Sequence, residues 1–357
     1  MKILVIQQKM IGDVLTSSIL FKALRNKFPD AELHYMIFPH TEPVIRNNPY
    51  IDRIIYYQPD KLKNPFSFAA FVNSIRKQKY KVIIDVYSKI GTGIISLFSG
   101  AEIRAGYKKW YTNNSYTHSF KYAINPETRA GLAVENRMLL LSAISADFPE
   151  EIKPEIYLTQ EEKKNAELQM RQGGIDFEKP RFMIGILGSS PNKTYPLRYM
   201  AKFLDHLAIT TNAQFLFNYI PSQKKEMQRL LELCTADTRS KIFEEVYGKS
   251  LREFIAMTSQ CDALIGNEGG AVNMAKAVNT PTFSIFAPQI DKNAWSLYED
   301  EVNMAVHLKD FQPEIFENNT EIKDNVQELY QDFKSDMIIP ELDRFIKNLS
   351  LDSKYKK

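Results

Sequence analysis

Residues 261–288 read CDALIGNEGGAVNMAKAVNTPTFSIFAP. The apolar run Ala263, Leu264, Ile265 ends in a glycine turn, Gly266-Asn267-Glu268-Gly269-Gly270; a helical stretch follows, and then a second apolar run over 282–287. That is a strand, a turn, a helix and a strand. Adjacent glycines let backbone approach a ligand closely. The first amides of the next helix have no intrahelical partner and carry the positive end of the helix dipole, so the turn can hold an anion the size of a diphosphate. An ordinary tight connection, in which the glycines solve only a backbone problem, has the same sequence pattern.

Upstream of this stretch the same rhythm repeats. Residues 182–187 and 214–219 read as strands, 197–210 as a helix with Pro196 beside its first turn, 222–236 as a helix, 241–246 as a strand and 250–259 as a helix. A polar loop, Gly188-Ser-Ser-Pro-Asn-Lys193-Thr-Tyr-Pro196, follows the first of these strands. The first half has its own series of strands, at 3–6, 32–38, 51–57 and the very apolar 81–86, which alternate with helices at 14–28, 42–48, 66–78 and 91–99. Gly12 and Asp13 lie between strand and helix, where open α/β sheets place their ligands, and Asp13 suits a helix N-cap. Residues from Arg104 through His118 read as loops and edge structure, 133–144 as a helix, and the acidic, proline-punctuated stretch 147–154 as a linker. The expected organisation is α/β: a doubly wound domain over 1–155, a second over 156–320, and helices over 321–357 that return toward the first domain.

A chain of 357 residues is long enough for two domains. With 46 basic and 43 acidic residues it lacks the strongly basic face of a dedicated nucleic-acid binder, so no nucleic-acid partner is expected. Its two cysteines, Cys234 and Cys261, sit in or beside apolar runs and suit a reducing compartment, with neither a disulfide framework nor zinc spacing. The N-terminus begins with a strand rather than the apolar core of a signal peptide, and no run approaches the roughly 20 residues that span a bilayer. A cytoplasmic protein is expected.

Three segments together resemble glycosyltransferase family 9, the ADP-heptose:lipopolysaccharide heptosyltransferases. They are the opening run Gly12-Asp-Val-Leu-Thr-Ser-Ser through Ala31, the loop from Gly188 to Pro196, and the run from Tyr247-Gly-Lys-Ser-Leu-Arg-Glu-Phe through the glycine turn to Pro288. The resemblance implies a GT-B fold: two Rossmann-like doubly wound domains facing a central cleft, with acceptor held mainly by the first and nucleotide-sugar by the second. It implies that Asp13, after Gly12, is the general base that takes the acceptor proton in an inverting transfer. It also implies that Lys193 faces the diphosphate, with the hydroxyls of Ser189 and Ser190 and the helix amides after Gly269 and Gly270. No Asp-x-Asp pair occurs, so neither a metal nor another cofactor is expected.

In the nucleotide-sugar turn the family usually shows aspartate, serine or threonine, glycine, and a histidine a few residues on; this chain has Glu268, Gly269, Gly270 and Asn273. The implied partners are a nucleotide-sugar donor, in the family ADP-heptose, and a glycolipid or lipopolysaccharide-core acceptor. Peripheral contact with the inner membrane is a further expectation, for which Arg104, Lys108 and Lys109, beside Trp110 and Tyr111, are candidates. Two alternatives remain. One is a nucleotide-sugar-binding protein of the same fold with altered donor or lost catalysis. The other, a nicotinamide dehydrogenase, is disfavoured because the first strand is not followed by Gly-x-Gly-x-x-Gly.

Overall fold

Strands such as ILVI, VIID and FMIG are apolar on both faces, which suits parallel sheets covered by helices on each side. A computed structural model, which describes residues 1–149, 151–317, 322 and 324–355, shows two such sheets. The first comprises β1 (Lys2–Ile6), β2 (Glu32–Ile37), β3 (Arg53–Tyr56), β4 (Val82–Asp85), β5 (Ile103–Tyr107) and β6 (His118–Phe120), in the order β3-β2-β1-β4-β5-β6. The second comprises β7 (Arg181–Gly185), β8 (Gln214–Phe217), β9 (Ala263–Asn267), β10 (Thr282–Ile285) and β11 (Asn303–Val306), in the order β11-β10-β9-β7-β8. Every pairing is parallel.

Each sheet has one switch point, where the chain leaves in opposite directions from neighbouring strands: β1 against β4 in the first, β7 against β9 in the second. The chain divides into unit 1, residues 1–157 with Asn293–Tyr298, and unit 2, residues 158–292 with 299–357. Within unit 1, Leu4, Ile6, Met36, Ile83 and Ile95 pack with Val72 and Ile75 from the helix Pro65–Lys77. The late segment belongs to unit 1 by contact: Leu297 lies against Gly131, and Tyr298 N–H donates to Arg129 O at 2.8 Å. In unit 2, Phe203 from the helix Leu197–Thr211 packs on Phe283 of β10.

Several expectations are corrected. Residues 241–246 make only one bridge, Phe215 to Ile242, because the segment between Ser240 and Val246 turns rather than running beside β8. The region from Arg104 through His118, expected as loops and edge structure, does lead into the edge strand β6 but also holds most of β5, and β11 was not anticipated. The terminal helices, Val326–Asp332 and Ser335–Asn348, pack into unit 2. Their apolar faces, Tyr330, Phe333, Leu342 and Phe345 among them, join the cluster of Phe203 and Phe283. The boundary expected at 320/321, and Glu150 within the expected linker, lie outside the described residues.

Candidate functional site

The second switch point is assembled around two glycines and an asparagine. A Cβ on Gly266, at φ +136°, would lie 2.3 Å from Gly185 O, so β9 approaches β7 as only glycine allows. Asn267, the last residue of β9, donates through Nδ2 to Gly185 O (2.9 Å) and accepts from Tyr195 N–H at Oδ1 (2.6 Å). One buried amide therefore fastens the loop 188–196 to the end of β9. That loop curls on itself: Gly188 N–H donates to Thr194 Oγ1 (3.0 Å), and both Thr194 Oγ1 and Lys193 N–H donate to Ser190 O (2.9 Å each).

The curl brings two of the expected residues together. Lys193 Nζ lies 3.5 Å from Glu268 Oε1, an ion-pair distance without hydrogen-bond geometry. Oε1 is buried and has no hydrogen-bond partner, and the Glu268 side chain is only 9% exposed. Burial pushes its carboxyl above the ordinary 4.5, against the pull of Lys193. Gly269, at φ +149°, precedes the helix Gly270–Ala277, and a Cβ on either Gly269 or Gly270 would meet nothing within 4 Å. Both glycines border open space, and the positive φ of Gly269 is itself a conformation that favours glycine. Asn273 is half-buried in the first turn of that helix, and Ser189 and Ser190 are exposed on the Lys193 loop.

The loop is braced from the C-terminal helices, which sequence reasoning did not connect with it. Tyr195 OH donates to Phe333 O (2.8 Å), and Gln327 Nε2 donates to Asn192 Oδ1 (3.2 Å). From the other side Gln289 Nε2 donates to Asn192 O (2.8 Å).

At the first switch point Asp13 is the third residue of the helix Ile11–Ser17, not its N-cap; Met10 takes that position, and its N–H donates to Asp13 Oδ2 (3.3 Å). The other carboxylate oxygen accepts from Arg137 Nη2 at 2.8 Å. Arg137, from the helix Leu132–Leu139, is 8% exposed and also donates to Ser17 Oγ (2.7 Å) and Ala133 O (2.5 Å). Each of its three nitrogens donates one hydrogen bond, which fixes the orientation of Asp13 while leaving that side chain 27% exposed. Gly12 contributes its carbonyl to Thr16 Oγ1 (2.9 Å). Arg137 was not singled out in the sequence; the signal that points to it is a buried Asn-Arg pair, next to Glu135, in a helix whose remaining residues are apolar.

Asp85, at the end of neighbouring β4, is fully buried. It accepts from Tyr116 OH (2.7 Å) and Ser88 N–H (2.8 Å), and burial pushes its carboxyl up to about 6. It ties β4 to the segment before β6 and faces no open space, so its role is structural. Among the described residues, no group of three or more His, Cys, Asp or Glu is arranged to hold a metal, and no helix is long and apolar enough to cross a membrane.

Two Rossmann-like units, each built on a parallel sheet, have the architecture of the GT-B class of glycosyltransferases. The model of glycosyltransferase family 9 (heptosyltransferase) matches residues 68–322, and the chain belongs to this family and is a glycosyltransferase. It is similar to lipopolysaccharide heptosyltransferase 1 of Campylobacter coli, at 24% identity over 291 residues, covering 80% of this chain and 84% of the relative. Lipooligosaccharide heptosyltransferase 2 of Haemophilus influenzae is 23% identical over 310 residues, covering 81% and 84%. The solved ADP-heptose lps heptosyltransferase II of E. coli superposes with a TM-score of 0.66 at 18% identity, covering 86% of this chain and 90% of that one. A family 9 glycosyl transferase from Veillonella parvula gives 0.70 at 16%, covering 90% of each. The family and the fold are those the sequence motifs implied.

Proposed function

We propose that this glycosyltransferase moves a heptose from ADP-heptose, with inversion, onto a lipopolysaccharide-core or related glycolipid acceptor. The observation that carries the donor half is the meeting of Lys193 with open space at the amino end of the helix Gly270–Ala277, the combination a diphosphate requires. The heptosyltransferase relatives support the sugar and the acceptor class.

In this reading the diphosphate takes the Lys193 ammonium and the free amides after Gly269 and Gly270, and Ser189 and Ser190 offer hydroxyls from the loop. Glu268 is then released to accept a hydroxyl of the donor, which gives its unpaired Oε1 a partner. Asn273, one turn on, lies beside the same group. Asp13 removes the acceptor proton as the acceptor oxygen attacks the anomeric carbon. The bond from that carbon to the diphosphate breaks, and the departing negative charge is met by Lys193 and the helix amides. No metal or cofactor has a part in these steps. Transfer onto a glycolipid would take place at the cytoplasmic face of the inner membrane.

A second reading, a different donor or binding without transfer, is favoured by the sequence Glu268-Gly269-Gly270 with Asn273. Calorimetric titration with ADP, UDP and GDP, without added metal, decides between them. Selective ADP binding that weakens in Lys193→Ala supports the first reading; selectivity for another nucleotide, or no binding, supports the second.

A further inference from the structure

Lys193 is held in place by its neighbours more than by contacts of its own. Its side chain is 36% exposed, and its ion pair with Glu268 spans 3.5 Å without a hydrogen bond. The residues on either side are fastened far more firmly. Asn192 O accepts from Gln289 Nε2 (2.8 Å) and Asn192 Oδ1 from Gln327 Nε2 (3.2 Å), which ties this residue to the segment after β10 and to the helix Val326–Asp332. Tyr195 is fully buried, its ring centroid 6.1 Å from that of Tyr330 and 5.7 Å from that of Phe333, and its OH donates to Phe333 O (2.8 Å). Bonds at 192 and 195 thus clamp the backbone from which the Lys193 side chain extends.

The clamp closes on Asn267, which is buried at the end of β9. Both ends of its planar amide are used: Oδ1 accepts from Tyr195 N–H (2.6 Å), and Nδ2 donates to Gly185 O (2.9 Å). An aspartate of the same length would set an oxygen against Gly185 O, and a leucine would leave a buried N–H and a buried carbonyl unpaired, so the position calls for an amide. Asn267 directly precedes Glu268, and Tyr195 follows Lys193 by two residues. One amide therefore joins the two segments that carry Lys193 and Glu268, and the spacing of that pair depends on it. The tip of the loop, 189–192, is exposed. A surface tip of this kind buries little apolar area and is ordinarily among the more mobile parts of a protein, so anchorage this dense is more than folding alone demands of it.

We infer that Asn267 is a positioning residue for the transfer reaction: it holds the Lys193 backbone at a fixed distance from Glu268 and from the amino end of the helix Gly270–Ala277, and Tyr195 is the arm through which it acts. The inference rests on the donor reading above, in which Lys193 meets the diphosphate. Ordering the lysine before the ligand arrives removes an entropic cost from binding, and it keeps the ammonium where negative charge develops on the leaving group. Asn267 and Tyr195 act on the ligand only through Lys193, and this separates them from the residues that touch it.

The test is a double-mutant cycle, read by calorimetric titration of the full chain with ADP and with adenosine. Lys193→Ala, Asn267→Ala and Tyr195→Phe are made singly, and the last two are also combined with Lys193→Ala. Asn267→Ala should weaken ADP binding roughly tenfold and Tyr195→Phe roughly threefold, with adenosine bound as by wild type, because the displaced group is the lysine that faces phosphate. On the Lys193→Ala background neither change should weaken ADP further. A residue that merely supports the fold behaves differently: its losses are equal for ADP and adenosine, or add in full to that of Lys193→Ala, and either result overturns the inference. Thermal unfolding of each variant checks folding. Tyr195→Phe keeps the buried ring and removes one hydroxyl, so it carries the test even if Asn267→Ala does not fold. If Lys193→Ala weakens ADP binding while Asn267→Ala and Tyr195→Phe bind as wild type does, this inference alone fails. If Lys193→Ala binds ADP undiminished, the donor reading fails and takes the inference with it.

Discussion

The two polar clusters at the switch points are completed to different degrees. Around Asp13 each carboxylate oxygen has a donor, and each nitrogen of the Arg137 guanidinium is engaged, by Asp13, Ser17 and Ala133. Around Glu268 a buried carboxylate oxygen has only a charge 3.5 Å away and no hydrogen bond, beside glycines that border open space. A group that must keep one orientation through a reaction is best held by neighbours that never leave; a group that must receive a ligand keeps a bonding position open for it. On the proposed reading the first cluster would serve as an oriented base and the second as a cradle for the donor.

The hardest test of this contrast is Asp13→Asn. If the carboxylate is the base, kcat falls by roughly 10³-fold while ADP titrates as in wild type, because the cradle belongs to unit 2. Unchanged turnover in a steady-state assay would reduce Asp13 to a helix-terminal group that accepts the Met10 amide. Lys193→Ala should follow in size: ADP affinity drops roughly 30-fold, about the worth of one strong charge-assisted contact to phosphate, and turnover drops with it. Equal loss for ADP and for adenosine would show that the lysine supports the loop rather than the phosphates.

How much of this was legible in the sequence follows from how far apart the partners lie. The glycine turn at 266–270, the strand before it and the helix after it are local, so apolar runs and glycines suffice to read them. Three ordered motifs likewise suffice to recognise the family. Arg137 meets Asp13 across 124 positions, and Asn267 meets Tyr195 across 72; no local pattern encodes either contact. The terminal helices show the same limit. Their amphipathic faces were readable, but which core they cover depends on shape complementarity with the Phe203 and Phe283 layer, and that is a property of the folded unit 2.

Arg137→Lys makes a smaller, sharper test. Lysine keeps the charge and loses the fork, so Asp13 keeps an attraction and loses its fixed direction. The expected result is roughly tenfold lower kcat with KM for donor and acceptor little changed, the signature of a positioning residue. Arg137→Met should lower kcat further and also cost about 1–2 kcal/mol of stability by chemical denaturation, discounted from a fully buried pair because Asp13 is partly exposed. A KM effect without a kcat effect would make Arg137 an acceptor contact instead.

The smallest expected change, and the one that probes the open side of the comparison, is Glu268→Gln. Burial raises the folded-state pKa of Glu268 above 4.5, so its stabilising contribution is fully present below that value and is lost as pH rises through the raised one. Glutamine should therefore be more stable than wild type near neutral pH, by roughly 1 kcal/mol, with the gain vanishing toward pH 4. ADP binding carries the same sign: above the raised pKa the ionised carboxylate competes for Lys193 and repels phosphate, so wild-type affinity declines as pH rises, whereas the glutamine variant stays flat and binds a few-fold tighter at pH 7. Turnover of the sugar nucleotide should move the other way, because an amide is a weaker acceptor for a donor hydroxyl than a carboxylate. Tighter ADP with slower transfer in one variant would separate the two roles of the cradle; tighter ADP with unchanged transfer would leave Glu268 only the part of a counter-ion that keeps Lys193 in place.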